Sequence, residues 1–192
     1  MLHEDARSRL QEGNTRFVEN RASHPRQSPE RRVELTSGQH PFAAILTCSD
    51  SRVVPEILFD QGIGDLFVVR VAGNVVDDAV LGTIEYVAAH LEVPFVVVLG
   101  HTRCGAVSAA VENARAAGCL RALIDILRPA VEASRDRPGD RVDNAAREHV
   151  IRQVERLRRT GPTLAELYDA RRLQVVGAMY DIRTGIVEWL HP

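Results

Sequence analysis

Three short apolar runs, Phe42 to Thr47, Leu66 to Val71 and Phe95 to Gly100, stand out along a chain whose other apolar residues are spaced among polar ones. Each is of strand length, rich in valine or isoleucine and bounded by turn residues, which is the pattern of strands buried on both faces. Between the runs the period changes. Val80, Ile84, Val87 and Ala88 recur at helical spacing, and a second helix is predicted to begin near Cys104 and continue through Ala110. From Leu120 to Arg159 the pattern is mostly helical, with an interruption near Pro138-Gly139. Gln174 to Tyr180 and Ile186 to Leu190 read as the last strands, joined by a hairpin turn at Arg183-Thr184-Gly185. Ahead of all this, Leu10, Phe17 and Val18 lie among charges at roughly helical spacing, followed by a loop through His24-Pro25 and Ser28-Pro29. So little apolar content suits an arm that seats on a neighbouring subunit better than a domain of its own.

Strands alternating with helices predict an α/β fold with right-handed crossovers. The expected architecture is a mostly parallel central β-sheet flanked by helices, with an antiparallel C-terminal edge strand and an N-terminal helical arm. We read residues 1–192 as one domain, divided into an arm over 1–38 and an α/β core over 39–192, with no internal repeat or low-complexity stretch.

Composition narrows the function classes. With 192 residues and 45% hydrophobic content the chain is long enough for one sizeable core. A net charge of −2 gives no basic footprint for neutralising phosphates, so nucleic acid is not an expected partner. No apolar run approaches the ~18 residues of a membrane span, so no membrane partner is expected either. The opening residues, Met1 to Arg7, are charged and lack the apolar stretch of a secretory signal. Three cysteines make an odd number, which fits a reducing cytoplasm better than a disulfide framework.

The chemistry concentrates in two motifs. Cys48-Ser49-Asp50-Ser51-Arg52 follows the first apolar run directly, and His101-Thr102-Arg103-Cys104-Gly105 follows the third. In open parallel sheets ligands gather at the carboxyl ends of strands, so Cys48 and His101 are expected at one edge. Cys104 joins them from the first turn of the next helix, whose positive end favours a thiolate. Two thiolates and a neutral imidazole form a zinc ligand set, and three protein ligands with an open fourth position is the catalytic arrangement. The two thiolates cancel the charge of a divalent ion and leave a weaker Lewis acid than three histidines would. Asp50 can reach the same region, either as a fourth ligand or as the acceptor of a hydrogen bond from a group on the metal. Arg52 carries the planar fork that matches a carboxylate: if it holds Asp50 the fourth position is open, and if it releases Asp50 the position can close. A structural zinc would want a fourth Cys or His, and Cys119, after Ala116-Ala117-Gly118, is poorly placed. A cysteine-phosphatase reading of Cys48 and Arg52 fails, because three intervening residues are too few to cradle a phosphate.

Cys-Ser-Asp-Ser-Arg followed by Gly-His-Thr-x-Cys-Gly resembles the β-class carbonic anhydrases, over about Gln39 to Tyr180. The resemblance implies that Cys48, His101 and Cys104 bind Zn2+, that Asp50 and Arg52 form the catalytic dyad, and that zinc-bound hydroxide converts carbon dioxide to bicarbonate and a proton. It implies a substrate pocket in which the Gly105 amide and the Gln39 side chain donate to substrate, while Phe67 and Tyr86 form apolar walls supplied across a dimer interface. The partners so implied are carbon dioxide or bicarbonate and further copies of the chain, as a homodimer or a dimer of dimers. Ala72 stands where many relatives carry Val. Another branch of the family holds a regulatory bicarbonate with a Trp, an Arg and a Tyr. Arg70 and Tyr180 match two of these, but Ile45 occupies the Trp position and cannot donate the indole hydrogen bond. The plant-like branch is therefore expected. Two other functions share these residues: hydrolysis of carbonyl sulfide or carbon disulfide by the same zinc hydroxide, and a non-catalytic zinc-stabilised oligomer or redox thiol protein.

Overall fold

A computed structural model describes residues 3–190 of the protein. Its strands are β1 (Ala43–Thr47), β2 (Leu66–Arg70), β3 (Phe95–His101), β4 (Gln174–Tyr180) and β5 (Val187–Leu190). They form one sheet in the order β2-β1-β3-β4-β5, parallel through the first four and antiparallel at β4–β5. This is the architecture the apolar runs predict, including the closing pair. In the turn before β5, Gly185 sits at φ 81 and donates its N–H to the Asp181 carbonyl at 2.9 Å.

The helices are α1 (His3–Val18), α2 (Pro29–Glu34), α3 (Pro55–Leu58), α4 (Asp78–Ala89), α5 (Gly105–Val111), α6 (Gly118–Ala133), α7 (Arg141–Arg159) and α8 (Pro162–Asp169). Side chains along a strand alternate between faces, and this alternation divides the core in two. Ala44, Leu46, Val96 and Val98 share one cluster with apolar residues of α4, α5, α6 and α7. Ala43, Ile45, Phe95, Val97 and Leu99 share the other with Ala6 and Leu10 of α1. The long helix α7 is capped by Asp140, whose carboxylate accepts from the Val142 and Asp143 amides. It lies very close to the sheet. A Cβ on Gly100 would come within 2.5 Å of Val150, and one on Gly177 within 2.8 Å of the same residue, so both strand positions require glycine.

One expectation is corrected. The run Leu66 to Val71 does not form a strand buried on both faces. From Leu66 to Val69 the strand is half-buried and Arg70 is exposed, because β2 is the edge of the sheet. In the N-terminal arm, Ala6 and Leu10 are fully buried on the chain's own sheet, whereas Val18 further along the same helix is 40% exposed. Asn14 fixes that placement. Its amide donates to the Leu58 and Gly185 carbonyls at 3.1 and 2.9 Å, and its oxygen accepts from the Val187 amide at 2.9 Å. Two buried carboxylates anchor the rest of the arm. Asp65 pairs with Arg9 and Arg26, while Asp60 accepts from Arg16, the Ser23 amide and hydroxyl, and the His24 amide.

Burial alone would raise the pKa of Asp60, but the Ser23 amide, the Arg16 guanidinium and the His24 amide outweigh it and hold the group at about 2. A carboxylate depressed in this way contributes its stability above its unfolded value of about 3.9 and loses it as pH falls through the folded value. Asp60→Ala is expected to cost about 2–4 kcal/mol near neutrality, because it strands buried donors. Urea unfolding checks both points. The gap between wild type and variant should stay constant from about pH 7 to pH 5 and narrow from there to about pH 2, and a gap unchanged over that lower range would contradict the role given to the ionised carboxylate.

Candidate metal centre

The parallel register of β1 and β3 aligns Thr47 with Leu99, so both strands run out at the same edge of the sheet. Cys48 is the first residue beyond β1 and His101 is the last residue of β3. Cys104 is the N-cap of α5, three residues further on. The ligand atoms of Cys48, His101 and Cys104 all lie within 4.8 Å of one another, and all three residues are buried. The sequence reading of these positions is met by the geometry.

The chemistry of the donors fits a metal ion. His101 Nδ1 lies 2.9 Å from the Thr102 carbonyl, an acceptor only, so the ring proton belongs on Nδ1. Nε2 then carries a bare lone pair, and this buried atom has no hydrogen-bond partner. A buried polar atom without a partner is costly, and a cation is what an imidazole lone pair beside two sulfurs can bind. The neighbouring Cys104 thiol draws the Cys48 thiol down to about 4 against the effect of burial, and Cys48 pushes Cys104 up in turn. A divalent ion bound between them would hold both sulfurs as thiolates.

Asp50 stands beside this cluster in the grip of Arg52. Arg52 Nε donates to Oδ1 at 2.9 Å and Nη2 to Oδ2 at 2.7 Å, a bidentate fork, and the Arg52 amide adds a third bond at 2.9 Å. These bonds, the fork foremost, hold the Asp50 carboxyl well below the usual carboxylate range despite some desolvation. Asp50 Oδ2 remains 4.0 Å from His101 Nε2. Arg70 secures the turn from the adjacent strand, donating to the carbonyls of Cys48 at 3.2 Å and Asp50 at 2.6 Å. Sequence reasoning placed Arg70 only in a comparison with a regulatory pocket and missed this role, which depends on β2 lying beside β1. Ile45 is fully buried in the apolar cluster that also contains Tyr180.

The remaining candidate residues divide. Gly105 opens α5 directly after Cys104, and no atom outside its chain neighbours lies within 4 Å of where its Cβ would be. Gly105 is accordingly exposed, next in the chain to Cys104. Phe67 and Tyr86 associate with each other at a centroid separation of 6.4 Å, and Tyr86 is 48% exposed. They do not join the cluster of their own chain: Phe67 pairs with Ala44, four residues before Cys48, or about 13 Å along the strand. Gln39 is likewise exposed, in the segment after the short 3-10 helix Leu35–Ser37. Two further groups were missed. Thr102 supplies the carbonyl that sets the His101 tautomer, and Gly73 donates its N–H to Cys48 Sγ at 3.3 Å. Thr102 was open to discovery as the residue between the ligands, whereas nothing in the sequence spacing ties Gly73 to Cys48.

A buried Cys, His, Cys set at the carboxyl ends of a parallel sheet, with an ionised carboxylate held next to it, defines an α/β protein with a centre that could hold a metal ion. Comparisons with known proteins specify the class. The sequence profile described as "Carbonic anhydrase" matches residues 43–187. A carbonic anhydrase of Mycolicibacterium smegmatis is 43% identical over 183 residues, covering 93% of this chain and 89% of the relative. Carbonic anhydrase 2 of Mycobacterium tuberculosis is 44% identical over 180 residues, covering 92% and 87%. Among solved structures, the β-carbonic anhydrase CcaA aligns with a TM-score of 0.75 at 27% identity over 97% of this chain and 99% of that one. A tetrameric β-carbonic anhydrase from Sordaria macrospora aligns with a TM-score of 0.77 at 29% identity over 94% of both. The chain belongs to the β-carbonic anhydrase family.

Replacing any one of Cys48, His101 or Cys104 with Ala should lower the metal content of the purified protein from about one ion per chain to a small fraction of that. Elemental analysis after dialysis checks this, and full occupancy in a variant removes that residue from the ligand set.

Proposed function

We propose that the protein is a zinc enzyme that interconverts carbon dioxide and bicarbonate. The observation that carries this reading is the Arg52 fork on Asp50, which keeps a carboxylate beside three ligand atoms without letting it become the fourth. Cys48, His101 and Cys104 would hold the ion. Bound there, zinc supplies Lewis acidity and an acidified water as nucleophile, the chemistry of a three-ligand site.

The chain's own groups do the rest. Asp50 stays ionised throughout the working range, so it can only accept hydrogen bonds. Its free acceptor capacity orients a proton-bearing nucleophile and takes part in moving the proton away. Arg52 holds that carboxylate in one orientation and, by pairing with it, competes against its binding to the cation. The Gly105 amide, at the exposed start of α5, donates to the substrate oxygen on which negative charge grows. Gln39, Phe67 and Tyr86 complete the pocket of a second copy of the chain, Gln39 by donating its amide and the two rings by excluding water. The distance of Phe67 from the cluster of its own chain supports this assignment, as does the exposure of Tyr86. The assembly is a homodimer or a dimer of dimers, for which the tetrameric Sordaria relative is a precedent. The free thiols Cys48, Cys104 and Cys119 suit a reducing compartment, and we place the enzyme in the cytoplasm. Among the described residues no helix is long and apolar enough to cross a membrane.

The plant-like branch follows from Ile45. An aliphatic side chain in the apolar core offers no donor to an anion, and Arg70 already serves the Cys48 and Asp50 carbonyls. Bicarbonate should therefore inhibit as a simple product with a Hill slope of about one. Stopped-flow kinetics across bicarbonate concentration decide this, and a slope clearly above one would restore the regulated branch.

Arg52→Ala should retain its metal and lose about 10²-fold or more in carbon dioxide hydration, because Asp50 is freed to bind the cation. Hydration rates with metal analysis test the function, and a crystal structure of the variant tests the cause. Near-normal activity, or Asp50 remaining clear of the cluster in an inactive variant, would contradict the gating role.

A further inference from the structure

The segment from Val71 to Val76 contributes no metal ligand, yet it lies against the centre, where the Gly73 N–H donates to Cys48 Sγ at 3.3 Å. Its backbone is held in an uncommon conformation. Gly73 has φ 67 and Asn74, which is not a glycine, has φ 43, and both are buried. Consecutive left-handed residues persist where their surroundings impose them. A side chain at Gly73 would be strained by that φ and crowded, since a Cβ there would sit 3.2 Å from that of Ala106.

Two polar residues on the buried face of α7 supply those surroundings. Gln153 Oε1 accepts the Val76 N–H at 3.0 Å. With its oxygen so engaged, the Gln153 amide nitrogen faces His149, where it lies 3.5 Å from Nδ1. Nδ1 is then the acceptor of the ring and the proton sits on Nε2. The backbone of Gly73 and Asn74 favours the protonated ring, so it lies close to His149, although the buried Nε2 makes no hydrogen bond. His149 is 1% exposed, and burial holds it down at about 4, so it is a neutral donor throughout the working range. Polar groups at this depth are expensive unless they have a task, and an apolar pair would serve the α7–sheet contact as well.

We propose that His149 and Gln153 are positioning residues of the metal centre, which hold the 71–76 segment so that the Gly73 N–H stays on the Cys48 sulfur. This rests on Cys48 being a metal ligand. An N–H donor draws charge from a thiolate, and the thiolate then donates less to the ion and leaves it the stronger Lewis acid. Releasing the segment makes the sulfur more electron-rich without removing a ligand.

The test uses the full chain with cobalt(II) or cadmium in place of zinc. In the cobalt form, Gln153→Leu and His149→Phe should shift the sulfur-to-cobalt charge-transfer band to longer wavelength while about one ion per chain stays bound. His149→Gln, which keeps an amide donor near the place of Nε2, should restore the band. Val154→Ala, a cavity on the same helix, should leave the band unmoved while lowering stability. In the wild-type cadmium-113 form, the Gly73 amide proton should show scalar coupling to the metal through the N–H···S bond, a readout that needs no variant to fold. An unmoved band in both His149→Phe and Gln153→Leu, an equal shift in Val154→Ala, or no coupling at Gly73 overturns the proposal alone. Failure of wild-type protein to take up either metal overturns the reading of the centre itself, and this inference with it.

Discussion

Three donor atoms, two of them sulfur, are buried together with no water-facing alternative, and one is an imidazole nitrogen that no protein group satisfies. Uncompensated, such a cluster works against folding. With a divalent ion the same cluster is neutral in charge and saturated in bonding. Much of the surrounding structure serves to keep these atoms in register. The parallel pairing of β1 with β3 brings Cys48 and His101 to one edge, the Thr102 carbonyl fixes the imidazole tautomer, and Arg70 ties the Cys48–Asp50 turn to β2. Helix α7 presses on β3 and β4 through Gly100 and Gly177 and supports the segment that reaches the Cys48 sulfur.

The charged groups fall into two populations with separate tasks. Asp60 and Asp65 are deeply buried, satisfied by arginines and backbone amides, and fasten the N-terminal arm. Asp50 is satisfied almost as fully, but by an exposed arginine two residues away, and it faces the ligand cluster. A buried carboxylate with many partners has nowhere to go, whereas a bidentate pair formed within one turn can open without unfolding anything. That difference is why, among several ion-paired carboxylates, Asp50 is the one we propose as functional.

What could be read from the sequence was whatever lies close together along it. The strands announced themselves as short valine-rich runs, and both motifs follow such runs directly, so the sheet edge, the meeting of Cys48, His101 and Cys104, and the Asp50–Arg52 pair were all legible. The edge position of β2 was not, because Leu66–Arg70 carries the same apolar signature as a central strand and its exposure depends on which strand lies beside it. The seat of α1 was also illegible. Ala6 is too small to register in a hydrophobic pattern, and Asn14, which fixes the helix through three hydrogen bonds, reads as a solvent residue. Helix α8, Pro162–Asp169, went unassigned because eight residues with one fully buried apolar side chain give little periodicity. Gly73, His149 and Gln153 meet the centre only through long-range packing, and no spacing rule links them to Cys48. Gln39, Phe67 and Tyr86 were legible through family resemblance alone.

The central claim is that this chain builds a three-ligand zinc centre whose fourth place is kept from Asp50 by Arg52. Zinc X-ray absorption on the loaded, active enzyme, together with a crystal structure under the same conditions, addresses it most directly. The account predicts a shell containing two sulfurs and one ring nitrogen, with the Asp50 carboxylate still paired to Arg52. A shell lacking either sulfur, or Asp50 bound to the ion while the enzyme is at full activity, would contradict it.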